Sequence, residues 1–452
     1  MKVAYKYRLY PNKEQENKIN QFCYTYNLLY NIGVDIVKTY IVREQRLSGK
    51  TKTVKSKKDG SELTFPVYKY PSKLAIQNMI YHLKDEIDTE WWGYIQNPKT
   101  LERKDELKKL FSELPANCFY YISTAIKNSI DTKFNSNIAK PKKDNKKKPK
   151  TLIVDGIEEI DYTGLKFHKF NVLDCSYSIQ CQKQSALKSS ETKKAYFNLI
   201  KIGLTKMVYH RPIPENSKFD QVTISRKNNE YYISLCGLEL PTKEMINSKD
   251  VLKTIGIDIN TDNYIVSSDN DTYVNPAKKL LKMKKRIKRL QKRNGENKKD
   301  ASCKSKRDYK SKGFRKNLLT INKIYNKITN IKKHIIHNAT KKFTSEYDAV
   351  FAEDLNVKAM QHFNGSMVQK NNFYEFTRQL KYKSEREGTL FKTVGRFFQS
   401  SQICSKCGKI HSEMKNLNRR VFRCECGNII SRDLNAALNI NNEGKKLLTN
   451  ES

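Results

Sequence analysis

The stretch CSKCGKIHSEMKNLNRRVFRCECGNIISRDLNAALNI (404–440) holds two cysteine pairs and then an acidic helix start. Cys404 and Cys407 form a C-x2-C pair, Cys424 and Cys426 a tighter C-x-C pair, with 16 residues between them. Two such knuckles supply the soft tetrahedral ligand set that Zn2+ takes, and four protein ligands leave no open position for chemistry. Gly408 and Gly427 directly follow the knuckles, where a residue without Cβ lets the backbone amides turn toward the sulfurs. A structural zinc ribbon is therefore predicted. A pair of disulfides is the rival reading. The other six cysteines (Cys23, Cys118, Cys175, Cys181, Cys236, Cys303) stand singly, which is no disulfide framework and fits a reducing cytosol. Asp433 follows within seven residues of Cys426, at the start of a helix whose Leu434, Ala437 and Leu438 are expected to face inward.

Working outward, two more acids close apolar, strand-like runs: Asp258 ends VLKTIGID (251–258) and Glu353 ends DAVFAE (348–353). Singly, each reads more readily as a surface or capping carboxylate, and Asp433 could simply favour a helix N-terminus. Together, two strand ends and a helix start supply the hard oxygen ligands that a pair of Mg2+ ions about 3.5–4 Å apart requires. Such a pair clamps both the attacking and the leaving oxygen of a phosphodiester. The pattern predicts a nuclease.

Lys and Arg total 87 against 47 Asp and Glu, a net charge of +40. That field attracts a polyanion, and nucleic acid is the default partner. Richness in Asn, Ile and Tyr also fits AT-rich coding, which inflates Lys by itself. No stretch approaches the roughly 20 apolar residues of a membrane span, and MKVAYKYRLYPNKEQ (1–15) has no apolar core of a secretory signal. The expected address is the cytoplasm of a prokaryote, with the protein on the nucleoid.

Residues 2–10 alternate and read as a strand that Pro11 stops. Asn12 caps a helix with Ile19, Phe22, Tyr26, Leu29 and Tyr30 on one face. A mostly helical stretch follows to about 137, broken by a polar loop at 46–62. Trp91 and Trp92 read as core rather than as base-stacking residues. Residues 140–150, with seven lysines and two prolines, read as an exposed basic linker. From 151 to 245 the text turns β-rich, with strands 221–226 and 230–235 around a Lys-Asn-Asn turn. An antiparallel barrel or sandwich is expected, completed by the N-terminal strand.

After the buried-looking strand 254–259, two helices carry coiled-coil seams. The first holds Leu280, Met283, Ile287 and Leu290, the second Ile321, Ile324, Ile328, Ile331 and Ile335. An antiparallel hairpin results. Residues 277–293 hold ten Lys or Arg and no acid, an unrelieved single sign that repels itself unless an anion compensates. Lys278, Lys279, Lys282, Lys285, Arg286, Arg289 and Arg293 are the residues expected on a phosphate backbone.

GIDIN (256–260), FAEDLN (351–356) and SRDLNAALNI (431–440), with the cysteine knuckles before the last, resemble the split RuvC nuclease of transposon-encoded TnpB proteins. They are also similar to the miniature type V CRISPR effectors descended from them. AYKYRLYPNKEQ (4–15), HRPIP (210–214), VTISRKNNEYYISL (222–235) and GRFFQSSQICSKCG (395–408) extend the resemblance, whereas 35–200 matches poorly apart from ELPANCFYYISTAIKN (113–128). The resemblance implies a multidomain α+β protein. Its parts would be a first barrel strand (1–12), a helical recognition lobe (13–140) and a wedge-type β-barrel (141–250). An RNase H-like (RuvC) core would follow in three pieces (251–276, 346–402, 428–452), split by a helical hairpin (277–345) and a zinc ribbon (403–427).

Carried over by position, Asp258, Glu353 and Asp433 become the catalytic, Mg2+-binding carboxylates, and Cys404, Cys407, Cys424 and Cys426 the Zn2+ ligands. The implied partners are a guide RNA and a target double-stranded DNA, with one copy or two on each RNA. Asn260 stands where the family usually has Gly, and Gly395 where an Asp often precedes the RFF element. A CRISPR effector of the same chemistry, or a guide-dependent repressor that no longer cuts, remains open.

Overall fold

The computed structural model describes residues 2–55, 62–66, 69–137, 151–161, 165–168, 174–180, 187–189, 194–213, 219–260, 265–274, 277–295, 312–354, 373–416 and 418–449. The basic linker expected at 140–150 lies outside them, as do Cys181 and Cys303. They fall into two units, 2–240 and 241 onward.

In the N-terminal unit, strand β1 (Lys2–Tyr10) alternates cleanly: Tyr5, Tyr7 and Leu9 are buried while Lys6 and Tyr10 face out. Pro11 ends it. Asn12 then caps α1 (Lys13–Ser48) in a reciprocal capping box with Gln15, which satisfies two of the helix's orphan donors. Ile19, Phe22, Leu29 and Tyr30 are buried as the helical spacing predicts. Where a loop was expected at 46–62, α1 continues to Ser48, and β2 (Thr51–Lys55) pairs with β3 (Glu62–Pro66). The alternating TKTVK text carries enough β-branched side chain to favour a hairpin over an unpaired loop. Helices α2 (Lys73–Tyr81), α3 (Pro98–Leu101), α4 (Lys104–Glu113) and α5 (Asn117–Asn137) follow. Trp92 joins their core at 3% exposure, with Trp91 packed against its edge.

The strands β4 (Thr151–Val154) and β5 (Ile157–Ile160) form a separate hairpin. Next come β6 (Asp174–Gln180), β7 (Leu187–Ser189), β8 (Lys194–Leu199), β9 (Gly203–Val208), β10 (Gln221–Lys227) and β11 (Glu230–Glu239). With β1 they make one seven-stranded antiparallel sheet in the order β6-β10-β11-β1-β9-β8-β7. Asn228 and Asn229, both at positive φ (53° and 65°), form the two-residue turn between β10 and β11, the geometry that matches strand twist. Among the described residues no ladder joins the end strands β6 and β7.

The C-terminal unit is built on a five-stranded sheet, β14-β13-β12-β15-β16. Its strands are β12 (Thr254–Ile259), β13 (Ile265–Ser267), β14 (Thr272–Tyr273), β15 (Ala349–Glu353) and β16 (Leu390–Val394). β12, β13 and β14 are antiparallel neighbours, while β12, β15 and β16 run parallel. Parallel neighbours need a long crossover. Helices α6 (Ala277–Asn294) and α7 (Lys312–Glu346) fill the one between β12 and β15, and α8 (Phe373–Glu387) lies in the one between β15 and β16.

Leu280, Ile287, Ile321, Ile324 and Ile328 zip α6 to α7, and Asn317 donates to Asn294 at 3.0 Å where the end of one meets the start of the other. The zip stops at Ile331. Ile335 belongs instead to the sheet's core with Ile336, Ala339 and Phe343, so the C-terminal part of α7 is a layer of the sheet rather than part of a free-standing insertion. An unbroken isoleucine seam hides this, because both partners are equally apolar. The opposite face of the sheet is covered by α9 (Arg432–Thr449).

Candidate active site

The two sheet faces sort the acids. Ile255, Ile257, Ile259, Val350 and Ala352 point to α7 and α8. Strand side chains alternate, so Gly256, Asp258, Phe351 and Glu353 point to α9. The parallel register Ile257↔Ala352 sets Asp258 beside Glu353 one step further on, across a strand spacing of about 4.8 Å. A Cβ on Gly256 would lie 2.2 Å from the Ala437 carbonyl oxygen and 2.4 Å from the Asn441 nitrogen, so the strand and α9 meet backbone to backbone. Asp433 is one helical turn before Ala437, and Asp258 is two residues after Gly256. The helix start and the strand end therefore converge.

Electrostatics records the convergence. The Asp258 carboxyl is pushed up to about 8, first by burial and then by the charge of Glu353, with Asp433 adding to it. The Asn260 amide donates to it at 3.1 Å and Arg432 lies near, both opposing the rise. Glu353 is also raised by burial, against a hydrogen bond donated by the Ser400 hydroxyl. Ser431 caps α9 by accepting from the Leu434 nitrogen at 3.1 Å.

The four cysteine sulfurs lie within 4.8 Å of one another, the one such group of three or more candidate ligands among the described residues. Cys404 and Cys426 are 3.6 Å apart and Cys407 and Cys424 3.5 Å. A tetrahedral ion with arms of about 2.3 Å has edges of about 3.8 Å, so the thiols fit one metal ion. Gly408 and Gly427 take positive φ (79° and 82°). Their N–H groups donate to the carbonyls of Cys404 and Cys424. Burial raises the Cys404 thiol, but the Asn428 amide and the backbone N–H groups of Cys407 and Lys406 outweigh it and bring it to about 6. Strand β17 (Val421–Arg423) pairs with β18 (Ile429–Ser431), so the ribbon's pairing runs past residue 427 to the helix start.

The helix face expected to be leucine-lined is polar where it meets the ribbon. Asn435 accepts from Ser405 N and donates to Ile403 O, and Asn439 donates to Ser400 O and Ile403 O, all at 2.6–3.0 Å. Both asparagines are buried, whereas Leu434 and Leu438 are half-buried and only Ala437 is fully inside. Arg432 adds bonds to Asn416 O and the Ser401 hydroxyl. Sequence reasoning named Asn260 only as a departure from the family pattern, without its bond to Asp258, and missed Ser400, Asn435 and Asn439. The one available signal was asparagine at i and i+4 on an otherwise apolar face.

Of the cationic set, Lys279, Lys282, Lys285, Arg286, Arg289 and Arg293 are exposed on α6, and the Lys278 side chain lies outside the described ones.

Three family models match: "Helix-turn-helix domain" of the OrfB/IS605 group over 1–46, "Probable transposase" of the same group over 238–364, and "Cas12f1-like, TNB domain" over 373–440. Residues 2–46 are one strand and part of one continuous helix, with no turn between helices. A Streptomyces pristinaespiralis protein described as "Putative RNA-guided DNA endonuclease" is 26% identical over 236 residues, 51% of this chain and 54% of its own length. "Putative RNA-guided DNA endonuclease InsQ" of Escherichia coli (strain K12) is 25% identical, over 50% of this chain and 57% of its own. The chain thus spans about half the length of these curated relatives. A solved structure titled "Cryo-EM structure of the Cas12f1-sgRNA-target DNA complex" aligns over 98% of this chain and 99% of that one, at 16% identity and a TM-score of 0.44. By these matches the chain resembles proteins of the TnpB family.

Proposed function

We propose that this chain is an RNA-guided DNA endonuclease of TnpB type, which cuts target DNA beside a short flanking motif in a RuvC-type site. The observation that carries the reading is the placement of Asp258 and Glu353 on neighbouring strands, facing the helix whose first turn bears Asp433. The sheet order, antiparallel on one side of β12 and parallel on the other, suits an RNase H-like core.

Unlike the thiols, the ligand oxygens of the three acids do not all lie within 4.8 Å of one another. Two ions about 3.5–4 Å apart on arms of about 2.1 Å accept ligand oxygens up to roughly 8 Å apart, so paired Mg2+ is the form of site this reading takes. Bound there, divalent cations would activate a water and stabilise charge on the scissile phosphate. Asp258 and Asp433 would ligate them and Glu353 would complete the set. Asn260 and Ser400 hold two of these carboxylates in place, and Arg432 anchors the helix start to the ribbon. The soft four-thiol set fits Zn2+, in a structural role.

The +40 charge serves the RNA and the RNA–DNA hybrid through their phosphates, leaving sequence choice to base pairing. One or two copies would load one RNA, in the cytoplasm of a prokaryote. The TNB match favours one variant, a miniature CRISPR effector with the same chemistry and another guide source. A non-cutting repressor is disfavoured, because all three carboxylates are present.

The test is cleavage of a plasmid matching the co-purified RNA. Asp258→Ala abolishes cutting and keeps the RNA. Cutting by that variant at the parent's rate overturns the site, and undiminished cutting by parent protein stripped of RNA overturns the guide. Sequencing the bound RNA separates a transposon-end guide from a repeat-spacer guide.

A further inference from the structure

The seven-stranded sheet buries one face against the helices of its unit, and among the described residues the other face is left open. On the open face, cross-strand register sets Tyr10 of β1 opposite Lys206 of β9, and Lys206 opposite Tyr196 of β8. Tyr10 is 53% exposed and Tyr196 40%, with Leu204 and Val208 exposed beside Lys206. One strand further, Arg8 faces Tyr232. Its guanidinium lies 5.2 Å from that ring's centre and 5.5 Å from that of Tyr10, and Lys6 lies 4.5 Å from Tyr232. The acid beside this group, Glu230, is already engaged by Arg8 and by the Tyr232 hydroxyl.

Strand propensity alone places tyrosines on sheets. It does not account for two exposed rings flanking a lysine, with apolar neighbours and the nearby Glu230 already engaged. The rings stand on alternate strands, about 9.6 Å apart at two strand spacings. Aromatic faces interleaved with cations on an open sheet are what unpaired bases stack on, while the cations meet the backbone.

We propose that this face is a stacking platform for an unpaired segment of RNA, with Tyr10 and Tyr196 each taking a base and Lys206 meeting the intervening phosphate. This rests on the RNA-partner reading above and adds a footing other than the cationic surface of α6.

The test titrates the full chain, freed of endogenous RNA, with a labelled oligouridine of about 12 nucleotides. Replacing both rings, Tyr10→Ala with Tyr196→Ala, weakens binding by roughly fivefold or more per ring. The slope of log affinity against log salt stays unchanged, because no charge is lost. The paired Phe substitutions restore binding, since stacking needs the ring and not the hydroxyl. Lys206→Ala instead lowers the slope by about 0.7. An abasic oligomer of equal length binds the parent and the double Ala variant alike. Parental binding of oligouridine by the double Ala variant overturns the platform, as does equal loss for oligouridine and the abasic oligomer. A larger loss for oligothymidine overturns the assignment to RNA. If the parent itself does not bind oligouridine, the RNA-partner reading falls with it.

Discussion

Replacing Asp258 by Asn is expected to stabilise the metal-free protein while destroying the site. In the native chain the Asp258 carboxyl lies at about 8 against an ordinary 3.8, through burial first and the charge of Glu353 second. A native value above the unfolded one means that the folded state holds its proton longer. The group's contribution is whole below about pH 4 and is lost as pH rises toward 8. At about 1.36 kcal/mol per unit, holding this carboxyl in place costs on the order of 4–5 kcal/mol near pH 7.5, an upper bound if water relaxes the site. Asn carries no such penalty and can still accept the Asn260 hydrogen bond. Thermal unfolding in chelator, at about pH 5 and pH 8, measures it. The Asn variant should melt several degrees above the parent at pH 8, with a much smaller gap at pH 5. Glu353, also raised, leaves a weaker slope of the same sign in both proteins. Mg2+ should stabilise the parent and not the variant. A parent no less stable than the variant at pH 8, or an equal gap at both pH values, would refute the buried-charge argument.

Gly256→Ala should destabilise the C-terminal unit by about 3 kcal/mol or more, because the new methyl meets backbone of α9 rather than a side chain that can move. Chemical denaturation reads the loss, and cleavage should fall with it. Cys407→Ser should drop the bound metal from one ion per chain, by elemental analysis, and open 404–431 to protease. Cleavage should fall as well, since the ribbon holds the start of α9 through Arg432. Changing Lys279, Lys282, Lys285 and Arg289 together to Gln should reduce the salt slope of duplex binding by up to about 3–4. An unchanged slope would mean that α6 meets no phosphates.

Much of the molecule was legible wherever the information is local. The Asn12 cap, the Asn-Asn turn, and the seam from Leu280 to Ile331 each depend on residues close along the chain, and each forms. The reading failed where two local choices were near balance, as in the polar text at 51–66 that pairs as a hairpin. It failed again where one helix serves two cores, as α7 does beyond Ile331. The buried asparagines of α9 were hidden for a different reason. A polar side chain inside a core is explained only by the partner it bonds, and those partners are Ser400, Ile403 and Ser405. No membrane-crossing helix is present among the described residues.

The sequence by itself determined the two knuckles and the positions of three acids at element ends, because spacing along a short segment fixes which side chains meet. Tertiary structure alone decided that Asp258 and Glu353, 95 residues apart in the numbering, share one face of one sheet. A one-residue slip in that parallel register would turn Glu353 to the other side. It also decided that Asn260 and Ser400 attend those acids, and that β1 pairs with a strand more than 200 residues away. Such pairings depend on which distant strands find one another, and alternation within a strand carries no record of its neighbour.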